Sequence, residues 1–253
     1  MDARLYDDMA AMEDVHWWYR GRREICRRVL ARAISGRGRG SPPPRILDVG
    51  CGTGGNLPML AELGPVDGLE LNAGAAARAR ARLKGGGQVF EGGLPEGLPP
   101  GRRYDVITAF DVLEHVERVE EAIAGIAAAL EPGGVFVCTV PAFMFLWSEH
   151  DVANHHFRRY GRRELIAQLE RGHLRLRHTS YFNSWLFPAI AGVRLVKRLA
   201  KLREAGRADH DLSMPPRLLN ELLARLFASE RHLVAQASLP IGVSLLAIAE
   251  PAP

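Results

Sequence analysis

The sequence has 253 residues, of which 47% are hydrophobic and 25% are charged, so the chain can bury one large core and is not disordered as a whole. The formal net charge of +4 is a mild basic excess that falls short of the footprint of a nucleic-acid-binding protein. The three cysteines are widely spaced and form no C-x-x-C pair, which argues against a disulfide framework or a zinc site and fits a reducing cytoplasm.

No apolar run reaches the roughly 18 residues that a membrane-spanning helix requires. The N-terminus is acidic and lacks the basic-then-apolar order of a secretory signal. We therefore expect a cytoplasmic protein that is either soluble or peripheral to the inner face of the membrane.

The first forty residues concentrate aromatic and basic side chains ahead of any predicted strand. HWWYRGRR (16–23) contains two of the four tryptophans and three arginines, and EICRRVLARAI continues with apolar residues at helical spacing. The stretch SGRGRGSPPP (35–44) has the composition of a linker. Residues 1–40 are therefore predicted to form a helical cap and a linker.

From residue 41 onward, short apolar runs alternate with segments of helical pattern. The runs are RILDVG (45–50), VDGLEL (66–71), QVFEG (88–92), YDVITAF (104–110) and GGVFVCTV (133–140). Such strands, separated by spacers of helical length, are typical of a parallel sheet covered by helices on both faces. The pattern predicts a Rossmann-like α/β domain over 41–253.

The last third of the chain is less regular. A helix RRELIAQLERG and a strand LRLRHTSYF precede two further helices and a closing strand GVSLLAIAE. We interpret about 184–238 as a helical insertion between two strands, a natural position for a lid over a ligand site. Its first helix (185–202) is apolar and basic, so it is predicted either to contact a membrane surface or to pack on its own domain.

The segment with the clearest chemistry is ILDVGCGTGG (46–55). A glycine-rich turn between a strand and a helix lets a ligand approach the backbone at the N-terminus of the helix. Gly50, Gly52 and Gly55 match the G-x-G-x-x-G pattern of dinucleotide-binding proteins, but the carboxylate of Asp48 would repel a pyrophosphate. The same carboxylate suits S-adenosylmethionine, which presents an ammonium and a sulfonium.

The end of the second predicted strand carries another carboxylate. Glu70 follows Gly50 by 20 residues, where an acidic side chain can accept hydrogen bonds from both hydroxyls of a ribose. Leu71, next to it, could face an adenine ring. A ribose is common to dinucleotides and S-adenosylmethionine, so Asp48 distinguishes the two where Glu70 does not.

Four segments in order resemble the motifs of class I S-adenosylmethionine-dependent methyltransferases. They are LDVGCGTG, GLEL, YDVITAFDVLEHV and LEPGGVFVCTVP, and the resemblance covers roughly 45–141. It implies a seven-stranded, mostly parallel sheet and S-adenosyl-L-methionine as cofactor.

The resemblance also implies cofactor-binding residues. It assigns the methionine end of the cofactor to the first motif, the ribose to Glu70 and the inner pocket to the fourth strand; these residues are Asp48, Gly50, Cys51, Gly52, Gly54, Glu70, Leu71, Phe110 and Asp111. Where many relatives have an acidic residue for the adenine amine, this chain has Gly93. Adenine recognition is therefore expected from the backbone of Gly93 and Leu94, or from Glu91 after a shift in register.

Histidines cluster just past the fifth predicted strand. HDVANHHFRRY (150–160) contains His150, His155, His156 and Tyr160, and His115 lies in the LEHV of the fourth motif. A methyltransferase acting on a hydroxyl needs a base, and imidazole is suited to that role near neutral pH. Structural hydrogen bonding is an equal alternative, and His115 could equally be a cap. Metal ligation by His150, Asp151 and either His155 or His156 fits no known spacing, so no metal is predicted.

The tryptophan pair is predicted to close the cofactor site. A flat aromatic would shield the sulfonium and an arginine could pair with the cofactor carboxylate, which nominates Trp18, Tyr19 and Arg20, or Arg23 one turn later. The alternative is that the two tryptophans only fasten the helix to the domain.

The acceptor is less constrained than the cofactor. The tryptophan pair and the His-Asp pattern are loosely similar to quinone-biosynthesis O-methyltransferases, which favours a small lipophilic acceptor methylated at oxygen. No basic stripe interleaved with aromatics suggests a nucleic-acid partner. C- or N-methylation, non-methylating chemistry on the same cofactor and a non-catalytic binding module remain alternatives, and no oligomeric state is predicted.

Overall fold

The computed structural model of the chain describes residues 10–38, 40–83, 86–201 and 214–253, and for 197–201 it describes the backbone alone. Within these residues seven strands form one sheet: β1 Ile46–Val49, β2 Val66–Glu70, β3 Val89–Glu91, β4 Tyr104–Phe110, β5 Leu130–Pro141, β6 Leu174–Phe182 and β7 Ser244–Pro251. The strand order is β3-β2-β1-β4-β5-β7-β6. The first five strands are parallel, and β7 runs antiparallel to both of its neighbours. The predicted seven-stranded, mostly parallel sheet is confirmed.

Helices cover both faces of the sheet. In the described part of the chain they are α1 Trp17–Ala33, α2 Leu57–Ala61, α3 Ala73–Arg82, α4 Val119–Ala129, α5 Glu149–Ala153, α6 Arg162–Arg171, α7 Phe187–Lys201, α8 Arg217–Ala228 and α9 Arg231–Gln236. Single 3₁₀ turns lie at Leu113–His115 and Met144–Leu146.

The alternation of side chains along the strands divides the core into two layers. On one face, Ile46 packs in a buried cluster with α1, α2, α8 and α9. On the other face, Leu47 packs in a second cluster with α4 and α6. Because both faces of the sheet are buried under helices, the parallel strands are continuous apolar runs in the sequence.

Helix α1 is a full member of the first layer and is also tied to the insertion. Its residues Ile25 and Leu30 are fully buried in the same cluster as the strands. Gly21 lies so close to the ring of Phe227 in α8 that a Cβ there would approach the ring to 2.4 Å. Asn220 of α8 accepts a hydrogen bond from the backbone N–H of Trp17 at 2.8 Å and donates one to the carbonyl of Val15. The N-terminal segment and the insertion therefore form one packed unit.

The insertion between β6 and β7 contains α7, α8 and α9. Val193, Leu195 and Val196 of α7 are exposed, each by more than half. The membrane contact predicted for 185–202 stays a prediction, because residue 202 and the basic side chains of Lys197, Arg198 and Lys201 lie outside the described part. Among the described residues, none of the helices combines the length and the apolar character needed to cross a bilayer.

The carboxyl ends of β1, β2, β4 and β5 meet at one edge of the sheet, and chain order reverses between β1 and β4. Ligands of open α/β sheets bind outside such a switch point. Asp111, immediately after β4, has a positive φ of 58°, a conformation that costs free energy for a residue with a Cβ and is concentrated at functional sites. These features locate the candidate site.

Candidate active site

The glycine-rich turn after β1 is shaped by three left-handed glycines. Gly50, Gly52 and Gly54 have φ values of 64°, 56° and 89°. A Cβ at Gly50 would approach the side chain of Val112 to 2.6 Å, and one at Gly54 would approach the backbone of Ala79 to 2.9 Å, so both turns require glycine. A Cβ at Gly52 would meet no atom within 4 Å. Open space therefore lies above the middle of the turn, where a ligand can contact the backbone.

Asp48 lies at the base of this turn with an unsatisfied charge. Its side chain is buried, and Oδ1 accepts a 2.6 Å hydrogen bond from the hydroxyl of Thr108, its register partner on β4. Oδ2 is buried and has no hydrogen-bond partner. Burial raises the pKa of Asp48 to about 7, although the Thr108 hydrogen bond and the positive charge of Arg22 act to lower it. A cationic ligand group reaching Oδ2 would compensate this carboxylate.

Glu70 organises the turn from the end of β2. Its two carboxylate oxygens accept hydrogen bonds from the backbone N–H of Gly52 at 2.9 Å and of Asn72 at 2.8 Å. A carboxylate has about four acceptor sites, so it can still accept hydrogen bonds from a ribose. Cys51, between two of the glycines, is buried and its thiol pKa is raised by that burial, so it contributes shape and not reactivity.

The residues nominated for the adenine lie together beyond Glu70. Leu71 is 76% exposed, and the nearest atom to a Cβ at Gly93 would be Cδ1 of Leu71, at 3.2 Å. Leu94 is half-buried beside Gly93. The carboxylate of Glu91 instead forms an ion pair with Arg80 at 2.7 Å, both side chains about half exposed. This arrangement favours the backbone of Gly93 and Leu94 over Glu91 for adenine recognition.

The N-terminal cap reaches the turn through two contacts. Glu13 is buried, and its carboxylate accepts a 2.8 Å hydrogen bond from the hydroxyl of Thr53. Arg22 forms an ion pair with Asp111 and lies over the ring of Trp18, with its Cζ atom 4.4 Å from the ring centroid. Tyr19 is buried against Trp18 in an edge contact. The cap therefore adds a buried cation and an indole to the edge where Phe110, itself buried, and Asp111 end β4.

The nominated arginines lie elsewhere. Arg20 pairs with Glu221 of α8, and Arg23 lies 3.9 Å from Asp14. Trp17 contacts Phe227 edge-on at 5.9 Å, so it fastens α1 to the insertion. Trp17 thus packs on the insertion, whereas Trp18 packs on Arg22. The structure does not bring Arg20 into this cluster, and the arginine that lies there is Arg22.

Arg22 was missed although the sequence contains a signal for it. Residues four apart lie on the same face of a helix, so Trp18 and Arg22 were the pair to expect together. We expect Arg22→Met to weaken binding of S-adenosylmethionine by about tenfold, because it removes a buried cation beside Asp111 that we expect to attract the carboxylate of the ligand. Calorimetric titration measures the change.

Arg20→Met is the matched control, since it removes an exposed ion pair on the same helix and exposed pairs contribute about 0–1 kcal/mol to stability. Equal affinities for the two variants would contradict a role for Arg22 at the cofactor.

The histidines separate into a half-buried pair and outlying residues. His115 and His156 face each other with ring centroids 4.6 Å apart, and Nδ1 of His156 lies 2.8 Å from Oδ1 of Asp151. His155 is exposed, and the ring of His150 is 3.2 Å from the side-chain nitrogen of Asn154. Of the histidines predicted as bases, His115 and His156 lie closest to each other, and the ring of His150 contacts His156 edge-on at 6.4 Å.

Tyr160 and Arg159 hold the histidine loop in place. Tyr160 is fully buried, and its hydroxyl donates to the carbonyl of Leu113 at 3.2 Å, so it has a structural position and not an open one. Arg159 binds Asp151 through two hydrogen bonds of 2.7 and 2.9 Å. Although burial opposes ionisation, the hydrogen bonds from His156 and Arg159 hold the pKa of Asp151 well below its usual range. A fixed carboxylate thus orients the His156 ring.

Residues 17–197 match the model of a protein family described as a methyltransferase domain. The chain belongs to this family. The match begins at the first residue of α1 and ends within α7, so it contains the glycine-rich turn, Glu70 and the histidine cluster.

Relatives with assigned names are methyltransferases. The chain is 35% identical over 96 residues to a ubiquinone biosynthesis O-methyltransferase of Paramagnetospirillum magneticum, covering 36% of this chain and 38% of that protein. It is 32% identical over 102 residues to a trans-aconitate 2-methyltransferase of Rhodopseudomonas palustris, covering 39% of each. The chain spans less than half the length of these curated relatives.

Solved structures share the fold. A methyltransferase in complex with the Trm112 methyltransferase activator of Haloferax volcanii superposes with a TM-score of 0.59 at 17% identity, over 99% of this chain and 95% of that one. A TehB-like S-adenosylmethionine-dependent methyltransferase of Corynebacterium glutamicum gives 0.52 at 18% identity, over 88% and 87%.

The residues of this site fit S-adenosyl-L-methionine, the cofactor that the sequence predicts. The buried, unpaired oxygen of Asp48 suits a cationic group, and the open space at Gly52 accommodates a ligand against the backbone. The turn would hold the methionine end and Glu70 the ribose. Bound there, the cofactor supplies an electrophilic methyl group.

Proposed function

We propose that the protein transfers the methyl group of S-adenosyl-L-methionine to a hydroxyl oxygen of a small lipophilic acceptor. The observation that carries the proposal is the facing pair of imidazoles, His115 and His156, beside Asp111 at the sheet edge that carries the glycine-rich turn. Such a pair can accept hydrogen bonds and protons from a hydroxyl. O-Methylation by the ubiquinone biosynthesis relatives agrees with this acceptor atom.

The lipophilic character of the acceptor is supported by aromatic side chains after β5. Phe143 stacks on Tyr181 at 4.9 Å and on Phe145 at 5.3 Å, and Phe187 of α7 completes the group. Phe145 is 56% exposed. An aromatic surface that is partly open to solvent, at the same edge as the histidines, suits an apolar acceptor with a single polar group.

The reaction is an in-line displacement. The acceptor oxygen forms a bond to the methyl carbon while the carbon–sulfur bond breaks, and its electron pair stays on sulfur as the neutral thioether of S-adenosylhomocysteine. The hydroxyl proton leaves towards the histidine side of the site. The protein contributes by holding both reactants in line, which is worth several orders of magnitude in rate.

The test is transfer of a labelled methyl group from S-adenosylmethionine into a lipid and metabolite extract, followed by mass identification of the product. We expect label on oxygen of an apolar product and an equal amount of S-adenosylhomocysteine. Label on carbon or nitrogen would reject the acceptor atom, and a new product without S-adenosylhomocysteine would indicate non-methylating chemistry. Absence of S-adenosylhomocysteine from every extract fraction would count against catalysis and favour a non-catalytic binding module.

A further inference from the structure

Glu114 is a buried carboxylate that the cofactor site does not use. Its side chain is fully buried, and within the part of the chain that the structure describes neither carboxylate oxygen has a hydrogen-bond partner. Leaving an ionised carboxylate dry and unpaired costs several kcal/mol, so such a group takes up either a proton or a cation. Burial, and then the negative charge of Asp111, raises the pKa of Glu114. Among the described residues, no group donates a hydrogen bond to this carboxylate.

Two imidazoles lie beside these oxygens. One nitrogen of His115, one of His156 and a carboxylate oxygen of Glu114 all lie within 4.8 Å of one another. Nδ1 of His156 lies 2.8 Å from Oδ1 of Asp151, so Nδ1 carries the ring proton and donates a hydrogen bond to that carboxylate, which leaves the lone pair on Nε2. Asp151 in turn is held by Arg159 and by the backbone N–H of Ser148.

This arrangement has the two sets of groups found in metal sites: side chains that can ligate the ion, and hydrogen-bond partners that orient those side chains. Metal-binding histidines nearly always donate their other ring N–H to a carboxylate or a carbonyl, which fixes the tautomer and the ring orientation. His156 has Asp151 for this purpose, and the backbone of Asn154 hydrogen-bonds His115.

We propose that Glu114, His115 and His156 bind one divalent transition-metal ion. Two imidazoles and one carboxylate suit zinc, manganese, iron or cobalt, whereas magnesium and calcium prefer oxygen ligands alone. Three protein ligands leave coordination positions open for an exchangeable oxygen. The alternative metal site of the sequence analysis was formed by His150, Asp151 and either His155 or His156. It shares only His156 with the present one, because Asp151 hydrogen-bonds to the far side of the His156 ring and His155 is exposed.

The proposal deepens the proposed function, and its chemical use rests on that function. The bound ion would act as a Lewis acid on the acceptor hydroxyl and would favour loss of its proton to water, so that His115 and His156 would hold the ion and would not take the proton themselves. The acceptor oxygen then displaces S-adenosylhomocysteine from the methyl carbon as described above. Metal binding itself needs neither the acceptor nor turnover.

The experiment is a titration of the metal-free protein with Co²⁺ alone, followed by visible absorption, which reports nitrogen and carboxylate ligation of the ion. We expect one equivalent to bind to the unmodified protein and to His232→Ala, a control that removes an exposed imidazole in α9. Glu114→Gln and His156→Ala are each expected to weaken binding by at least about tenfold. His115→Asn, at a half-buried position, should do the same if Glu114→Gln fails to fold.

Two results would overturn the metal site: no absorption change in the unmodified protein, or equal affinity in the unmodified protein and the folded ligand variants. Calorimetry with S-adenosylmethionine on the same samples separates this failure from failure of the proposed function. Intact cofactor binding and methyl transfer without Co²⁺ binding would reject the metal alone. Stoichiometric Co²⁺ binding with no methyl transfer to any acceptor would reject the proposed function alone.

Discussion

Asp48→Asn is expected to weaken S-adenosylmethionine binding by between about 30-fold and about 5,000-fold, since removing one member of a buried charge pair costs roughly 2–5 kcal/mol. Asn has nearly the same volume and can keep the contact with Thr108, so the fold should persist. The loss arises because the buried Oδ2, which has no hydrogen-bond partner among the described residues, is the atom available to a cationic ligand group. Isothermal titration calorimetry measures the affinity directly.

The same carboxylate gives the binding a pH dependence of defined sign. With a folded-state pKa of about 7, Asp48 is largely protonated below that pH, and binding a cation must release the proton. The affinity should therefore fall by up to about tenfold for each pH unit below 7 and level off above it. In the unliganded protein the sign is opposite, because a raised carboxyl pKa lowers the free energy of unfolding as the pH rises through 7.

Two controls isolate these effects. Asp67→Asn removes a carboxylate from β2 that pairs with Arg102 far from the turn, and it should leave the affinity and its pH slope unchanged. Asp48→Asn should abolish the slope. A slope that survives in Asp48→Asn would show that another group binds the proton, and the assignment of Asp48 would be wrong.

Arg159→Met should have the largest effect on stability, lowering the free energy of unfolding by about 3–5 kcal/mol. Arg159 is 3% exposed and Asp151 is fully buried, so the substitution leaves a dry carboxylate without its bidentate partner. Chemical denaturation followed by circular dichroism gives the difference. Arg159→Lys should recover only part of it, because a lysine restores the charge and not the forked pair of hydrogen bonds.

The adjacent Arg158 supplies a matched comparison. Its guanidinium lies over the ring of Phe157 and donates to the carbonyl of Glu117 at 3.3 Å, both near the surface. Arg158→Met should change the unfolding free energy by no more than about 0.5 kcal/mol. Similar losses for the two variants would mean that the Asp151–Arg159 pair does not anchor the histidine loop.

The fold was predictable from the sequence because buried parallel strands appear in it as short apolar runs with regular spacing. YDVITAF matches β4 residue for residue, and the turn after β1 contains the glycines that its left-handed backbone requires. The family assignment followed from motifs of the same kind, in which residue type and local conformation are linked. Both are confirmed.

The parts of the site that escaped prediction depend on contacts between distant segments. The spacing from Trp18 favours Arg22 over Arg20, but the partners of the two arginines come from distant segments: α8 places Glu221 beside Arg20, and Asp111, just after β4, lies beside Arg22. Similarly, the sequence does not distinguish Glu114 from an ordinary acidic residue, because only the fold shows that its carboxylate is buried away from hydrogen-bond donors. Such roles are set by which surfaces the fold brings together, and a single sequence does not contain that information locally.

The contact between α1 and α8 has a consequence for redesign. At the start of α1, Asn220 accepts a hydrogen bond from the N–H of Trp17 and donates one to the carbonyl of Val15. A side chain at Gly21 would clash with the ring of Phe227. A chimera that exchanges only the insertion with a relative would therefore leave backbone groups at the N-terminus unpaired and a hole beside Gly21. We expect a chimera to acquire the acceptor preference of the relative only when α1 and the insertion are exchanged together. The N-terminal helix and the distant insertion are therefore a single unit of exchange.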